Sequence, residues 1–550
     1  MHRFMEFIYV ICRENRACHS VFLLLAVACW AAGCSGVHSD QPPTYSLKEG
    51  KRPNILFVIS DDQSYPHASV YGEDWLKTPA FDRVAREGVL FTQAYTASPG
   101  CSPSRAAILT GLNCWQLEDA GTHASAFPAK FTVFPDVLEE LGYHVGFTQK
   151  GWGPGNWEIS GRKRNPAGNP YQEKRLQAPT TGIVSNDYAA NFVDFLADRA
   201  SEQPFCFWFG AAEPHRDFEA GSGLASGKDP LAVNVPAFLP DTPEIRSDLL
   251  DYALEIEWYD HHLGRMLAHL DSIGELDNTL IIVTADNGMA FPRAKATMYE
   301  HGIHVPLAIR WGQWAKPGRI LDHLVSLIDV APTILEAAMG EAYAAYAQEN
   351  PVEGKSMVAL LGGDRTENAV DVDRPVFSSR ERHSSSRWNN LGYPQRAMRK
   401  GNLLYIRNFA PARWPAGAPQ KFLDAGTLGP EHGGYHDIDG CPTLDFLIDN
   451  RDHPTYGTYF QLAVAKRPEE ELFDLTSDPF CLNNLATQKS YEATLAEVRD
   501  EMETYLRRTG DPRVTGNGEI FETYIRYSPI REFPEPDWLN QPESIDLKSN

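Results

Sequence analysis

Two short strings carry the oxygen donors of a candidate metal site. Asp61 and Asp62 end the run "RPNILFVISDD", and Asp286 and Asn287 end "NTLIIVTADNG". Carboxylate and amide oxygens are hard ligands that suit Ca2+ or Mg2+, where nitrogen and sulfur would suit zinc. Either string alone also reads as turn and cap residues; their shared position after an apolar, β-branched run joins them into one set. Between them lies "CSPSR", Cys101 to Arg105, within "TQAYTASPGCSPSRAAILTGL" (Thr92 to Leu112). A thiol placed among prolines and serines, with an arginine four residues on and no disulfide partner nearby, asks for a chemical explanation.

Those residues need elements that bring them together. "NILFVIS", Asn54 to Ser60, has the continuous apolar character of a parallel strand buried on both faces. "KTPAFDRVAREGVLF" reads as a helix with Pro79 in its first turn and Gly88 at its end. The alternation recurs as a helix then a strand in "FPDVLEELGYHVGFTQ", and as a strand then a loop in "PFCFWFGAAEPH". A long helix over Ser247 to Ile273, striped by Leu263, Met266, Leu267 and Leu270, precedes the strand in "NTLIIVT".

Repeated strand and helix units predict a doubly wound, mostly parallel α/β sheet with its site along the carboxyl ends of the strands. The expected organisation is a leader over 1–34, a polar linker over 35–50 and a main catalytic domain over 51–340. A linker or irregular excursion over 341–374 follows, then a smaller α+β domain over 375–550 that contributes to the substrate pocket. In that last part "ELFDLTSDPFCLNNLA" reads as a strand and turn, and "ATLAEVRDEMETYLRRTG" as an amphipathic helix closed by Gly510.

Composition narrows the functions available. With 550 residues, 43% of them apolar and 22% charged, the chain is an ordinary globular protein of more than one domain. A net charge of −23 excludes broad electrostatic binding of nucleic acid, or of any polyanion outside a locally basic cleft. Arg3, Arg13 and Arg16 precede an apolar run from Val21 to Ala32, too short to span a bilayer comfortably, which reads as the core of an export signal. "AAGC", Ala31 to Cys34, resembles a bacterial lipoprotein cleavage box. Lipidation of Cys34 and simple cleavage nearby are the two alternatives, giving a periplasmic, envelope-anchored or secreted protein. Cys12, Cys18, Cys29 and Cys34 belong to this leader. The other five cysteines show neither a disulfide framework nor zinc spacing. Of these, Cys206 reads as core packing, and Cys441 with Cys481 as a candidate bridge.

"CSPSR" resembles the sulfatase signature C-x-P-x-R, in which a separate maturation enzyme oxidises the cysteine to Cα-formylglycine. It lies 40 residues after "NILFVISDD" and is followed by "RAAILTG", as in that family, and the resemblance covers about residues 53 to 535. It implies the alkaline phosphatase-like sulfatase fold. It also implies Ca2+ held by Asp61, Asp62, Asp286, Asn287 and the formylglycine at Cys101, with Arg105 steadying that residue. Lys150, Lys295 and His215 would hold the sulfate oxygens, because the transition state spreads negative charge over them. The implied nucleophile is a hydrated aldehyde that attacks sulfur and then expels sulfate, a last step that a thiol cannot perform. His215 is the candidate general acid for the leaving atom. The cysteine is expected in a short extended segment that the maturation enzyme binds before folding finishes.

One departure stands out. Most sulfatases carry G-K-x-H where this chain has "TQKGWGPG", with Lys150 but no histidine. His123, in "GTHASAFP", is a candidate substitute, set against a solvated loop histidine. "AAEPHRDF", "VPAFLPDTPEIRSDLLDYALEIEWYDHHLGRML" and "TADNGMAFPRAKATMY" are most similar to the N-sulfoglucosamine sulfohydrolase branch of the family.

In the C-terminal half, Arg380, Arg382, His383, Arg387, Arg396 and Arg399 crowd one stretch of an acidic protein, among aromatic residues. Guanidinium forks pair with carboxylates and sulfates, so Arg382, His383, Arg387 and Arg396 are the candidate pocket for an acidic, sulfated sugar, His383 and Arg387 foremost. His261 and His262 read as surface residues without a role. The expected activity is removal of sulfate from a glycosaminoglycan-type glycan, N-desulfation of glucosamine first. The alternatives are an O-sulfatase acting on another polysaccharide, such as an algal one, and a phosphatase or phosphonate hydrolase of the same superfold. A further alternative is a glycan-binding lipoprotein whose cysteine is never converted.

Overall fold

The computed structural model describes Leu47 and residues 51–312, 314–362, 374–424 and 426–540. The expected export signal, Cys34 and most of the segment over 35–50 lie outside these residues. Among the described residues no helix is long and apolar enough to cross a membrane.

The large sheet is built from β1 (Asn54–Ser60), β2 (Val89–Tyr95), β3 (His144–Gln149), β4 (Asn169–Pro170), β5 (Phe205–Gly210), β6 (Thr279–Ala285), β7 (His304–Trp311), β8 (Arg319–Leu321) and β9 (Val325–Ser326). Its order is β4-β3-β5-β1-β6-β7-β2-β8, with β9 beside β2. Alternate residues of β1 serve opposite faces: Ile55, Phe57 and Ile59 join one apolar cluster, Leu56 and Val58 the other. Both faces are therefore covered, the doubly wound condition. The sheet is mixed rather than wholly parallel, because β7 runs antiparallel to both β6 and β2. Residues 286–303 between β6 and β7 hold only the short helix Glu300–Ile303. Without a crossover helix the chain returns beside the strand it left.

The long helix runs Pro243–Ser272, one turn earlier than expected, since Pro243 supplies a pre-set φ and no N–H at the first helical position. His262, on that helix, is fully buried against Tyr188 and Trp258, a correction to its reading as a surface residue; His261 is exposed.

The smaller sheet consists of β10 (Val376–Arg380), β11 (Gln395–Lys400), β12 (Leu403–Asn408) and, after the hairpin β13 (Phe422–Asp424) and β14 (Thr427–Leu428), β15 (Glu470–Asp474), all antiparallel. The Glu492–Arg508 helix packs on one face, where the Phe377 and Tyr505 rings stack at 3.8 Å. The other face buries Val376, Leu404, Ile406 and Phe473 against Tyr95, Met298 and Ile303. The small sheet thus braces the segment that carries Lys295. Among the described residues of 341–374, Tyr343–Glu349 and Val358–Leu361 are helical, and Met357, Val358, Leu360 and Leu361 enter the main core.

All five cysteines from Cys101 to Cys481 are free and buried. The candidate Cys441 to Cys481 bridge is thereby overturned: the two thiols sit in different apolar clusters. Cys206 packs in β5 as expected.

Candidate active site

Strand register assembles the acidic set. In the parallel pair β1 and β6, Ser60 stands opposite Ala285, so the next residues outward bring Asp61 and Asp62 beside Asp286 and Asn287. All four are buried, and Asp62 takes a left-handed backbone (φ 71°), which a short polar side chain tolerates. An oxygen from each of Asp61, Asp62 and Asp286 falls within 4.8 Å of the others. Oδ1 of Asp61 and Oδ1 of Asn287 are buried with no hydrogen-bond partner. Buried carboxylates this close repel one another unless a cation joins them, and orphaned hard oxygens are what Ca2+ takes. The residues fit that ion. Burial, together with the charge of Asp61, raises the Asp286 carboxyl. Burial would also raise Asp61, but Lys150 and His215 hold it below its ordinary range.

"CSPSR" is helical. Cys101 is the first residue of the Cys101–Thr110 helix, behind Gly100, and all ten residues are buried. The extended segment expected for Cys101 is absent from the finished fold. Four residues make about one helical turn, which sets Arg105 on the same face as Cys101. Its Nε donates to Asp286 Oδ2 at 2.7 Å, and Nη1 donates to the carbonyls of Lys150 at 2.7 Å and Gly151 at 3.2 Å. Nη2 makes no hydrogen bond and stands 4.0 Å from Asp61 Oδ1. Lys150 directly follows β3, and its ammonium bonds Asp61. Burial pushes the Cys101 thiol up to about 11, so the unmodified side chain is a neutral thiol.

Lys295 donates to Asp62 Oδ2 at 2.6 Å and Asp439 Oδ2 at 2.8 Å, and lies 3.1 Å from His215 Nε2. His215 Nδ1 is 2.6 Å from the Arg216 carbonyl, so it carries a proton there and leaves Nε2 facing the site. Burial works against the Lys295 charge, but Asp439 and Asp62 outweigh it and keep the ammonium protonated well beyond its usual range. The ligand atoms of Asp62, His215 and Asp439 lie within 4.8 Å of one another, and the Lys295 ammonium occupies the place a second metal would take.

Sequence reasoning missed Asp439. The only signal was the doubled acid in "HDIDG", and nothing local tells which acid turns inward for structure and which reaches the site.

His123 Nε2 lies 3.2 Å from Cys101 Sγ, and the His383 ring stands 4.7 Å from the His123 ring. The strand that leads to His383 is tied down next to the thiol: Ser379 N donates to the Ala97 carbonyl at 2.8 Å.

The other basic residues of this stretch are buried and have internal partners, while Arg382 Nε and Arg387 Nη1 stay without a hydrogen bond. Arg387, with Arg380, is paired to buried Asp437. Arg382 donates to the Tyr524 carbonyl and to Ser125 Oγ, both at 2.8 Å. Arg396 is clamped between Asp511 and Glu381, under the Trp115 and Phe521 rings. Asp437 lies 50 residues from Arg387 and Asp511 lies 115 from Arg396, so the local cluster gave no sign of these two, while Glu381 stands within the stretch itself.

A cleft of about 600 Å³ opens beside Asp61, Lys150 and His215, walled by Trp152, Glu213 and Glu255. Both carboxylate oxygens of Glu255 lack partners; burial pushes that carboxyl up to about 9, and Glu213 to about 7.

Known proteins share this architecture. Over 540 residues the chain is 26% identical to an ulvan-active sulfatase of Formosa agariphila, spanning 94% of this chain and 95% of that one. It is also 26% identical, over 508 residues, to the N-sulphoglucosamine sulphohydrolase of Homo sapiens, spanning 85% and 93%. A solved structure with its substrate D-glucosamine-2-N,6-O-disulfate bound shares the fold, with a TM-score of 0.59 at 20% identity over 84% of this chain and 99% of that one. The family model described as Sulfatase matches residues 53–341, a span that takes in β1 to β9 and more than half of the sequence. The chain belongs to the sulfatase family.

Proposed function

We propose that this sulfatase acts on a sulfated glycan, with the N-sulfate of glucosamine as its first substrate. It would do so through a formylglycine made from Cys101 and a Ca2+ held by Asp61, Asp62, Asp286, Asn287 and the side chain of residue 101. The observation that carries the reading is the convergence of Lys150, Lys295 and His215 on the acidic set and on Cys101. When present, the two groups supply a hydrated aldehyde as nucleophile and a Lewis acid for the sulfuryl oxygens.

The chain's own residues do the rest. Arg105 fixes Asp286 and leaves Nη2 free to face the charge developing near residue 101. Lys150 and Lys295 bind sulfate oxygens, more tightly as negative charge accumulates on them. His215 acts in its imidazolium form, giving the Nε2 proton to the leaving nitrogen or oxygen while the Nδ1 proton stays hydrogen-bonded to the Arg216 carbonyl. His123 Nε2, in contact with residue 101, takes the proton that leaves it and stands in for the histidine missing after Lys150. His383 is the remaining candidate of the basic stretch for contact with the sugar.

The human N-sulphoglucosamine sulphohydrolase supports N-desulfation, and the ulvan-active sulfatase, equally similar, supports an O-sulfatase acting on an algal polysaccharide. Disaccharides carrying only an N-sulfate or only one O-sulfate separate the two: release confined to the O-sulfated set sinks the N-sulfatase reading. The mass of the Cys101 peptide from the native host tests the enzyme reading itself, since an intact thiol there would leave a glycan-binding lipoprotein. The signal over residues 1–34 supports export, with Cys34 as the lipid-bearing residue of an envelope protein and a sulfatase-maturating enzyme as an obligatory partner.

A further inference from the structure

Asp439 is a carboxylate at the site that belongs neither to the acidic set nor to an arginine pair, and it meets Lys295 directly. Its Oδ2 accepts from Lys295 at 2.8 Å, and its side chain is 31% exposed where those of Asp61, Asp62 and Asp286 are at most 2%. Oδ1 makes no hydrogen bond among the described residues. Asp439 also lies within 4.8 Å of the ring nitrogen of His215, the group that faces the leaving atom. The segment holding it is rigid for a simple reason. Two residues earlier, Asp437 accepts from Arg387 and Ser386 and from the Ser384 backbone, so the short "DID" turn is anchored at one acid and offers the other.

A carboxylate beside an anion-binding site is a liability for binding sulfate, because it repels the very charge that Lys150 and Lys295 attract. It becomes an asset when the substrate brings a donor to the same place. A sulfamate, R–NH–SO3−, has an N–H on the leaving atom; a sulfate ester, R–O–SO3−, has only lone pairs there. A carboxylate can accept from the first and can only repel the second.

We propose that Asp439 is a specificity-determining residue that accepts the N–H of a sulfamate and so selects N-sulfate over O-sulfate. This rests on the N-desulfation reading above. The interaction is non-covalent: the N–S bond breaks with the proton coming from His215, and Asp439 gains an acceptor role that strengthens as the nitrogen becomes a free amine with a second hydrogen. Built-in discrimination of this kind works by penalising the wrong ligand as much as by rewarding the right one.

The test uses the mature, converted enzyme and a ratio of two rates. The quantity is kcat/KM on an N-sulfated disaccharide divided by kcat/KM on its 6-O-sulfated counterpart, for wild type, Asp439→Leu and Asp439→Asn, each checked for an unchanged Tm and for conversion at residue 101. The leucine variant is expected to lose about tenfold or more of the ratio, chiefly on the N-sulfated substrate. The asparagine variant, which keeps an acceptor oxygen, is expected to restore part of the ratio even though its lost charge loosens Lys295 and slows both substrates. An equal fall on both substrates in the leucine variant overturns the proposal and reduces Asp439 to a positioning residue for Lys295, leaving N-desulfation in place. A wild type that cleaves only the O-sulfated compound overturns the N-desulfation reading itself, and the role of Asp439 with it.

Discussion

Arg105 and Arg396 are both fully buried and both bonded to carboxylates, yet they differ in what is left over. Arg396 is spent: Nε and Nη2 fork onto Asp511 at 2.6 and 2.9 Å, Nη2 reaches Glu381 at 2.8 Å, and Nη1 donates to the Gln395 carbonyl. Arg105 keeps Nη2 unbonded, and the neighbouring Asp61 and Asn287 keep an oxygen each. A buried polar atom without a partner costs free energy that folding alone has no reason to spend. Arg396 is closed electrostatics that holds the small sheet in place, whereas the edge of the large sheet around Arg105 is open electrostatics waiting for a ligand.

The strongest way to break this contrast is to remove the central atom of the open side. Cys101→Ala is expected to abolish sulfate release, by roughly 10⁴-fold or more, with Tm within a few degrees of wild type. A variant that keeps its activity would show that the open groups serve something else. On the closed side, Arg396→Met strands Asp511, leaves Glu381 to Arg513 alone, and should cost about 3–5 kcal/mol in urea unfolding, while kcat per folded molecule stays unchanged. A stable Arg396→Met protein with impaired kcat would put that arginine back in the site.

Chelation sharpens the comparison further. On the proposed Ca2+ reading, chelation is expected to lower Tm and activity together, and restoring the ion to about 100 times its Kd should return about 2.7 kcal/mol of stability. The Asp286→Asn variant should lose most of that response, and Arg396→Met none of it.

A pH-dependent test concerns Glu255, whose oxygens are also unpartnered. Its folded carboxyl titrates near 9, above the ordinary 4.5, so the folded state keeps a proton that the unfolded chain releases. Stability therefore falls as pH rises from about 4.5 towards 9. In Glu255→Gln the decline is expected to level off near pH 7, where Glu213 finishes its own titration, as read from urea midpoints across that range.

Much of the open side was legible in the sequence. β1 was bounded to the residue because an uninterrupted apolar run ends abruptly in two acids, and the parallel register then carries Asp61 to Asp286 without further information. Cys101, Arg105, Lys150, His215 and Lys295 came from motif resemblance, and the structure gathers them. Long-range closure was not legible. β7 reads locally as one more strand, and its reversed direction depends on what the 286–303 loop fails to contain. The arginines of the second half advertised positive charge, while two of the acids that neutralise them, Asp437 and Asp511, lie far along the chain. His123 and Asp439 are ordinary loop residues until the fold delivers one to the thiol and the other to Lys295.

The burial of the Cys101 helix also sets a clock. Residue 101 is 1% exposed in the finished fold, so on the formylglycine reading a modifying enzyme would have access only between synthesis and folding. Every molecule would run that race once, and one that folded first would keep its thiol for life. A purified preparation would then be a mixture of two species with the same fold, separable by mass at one residue. Its specific activity would report the outcome of the race as much as the quality of the catalyst.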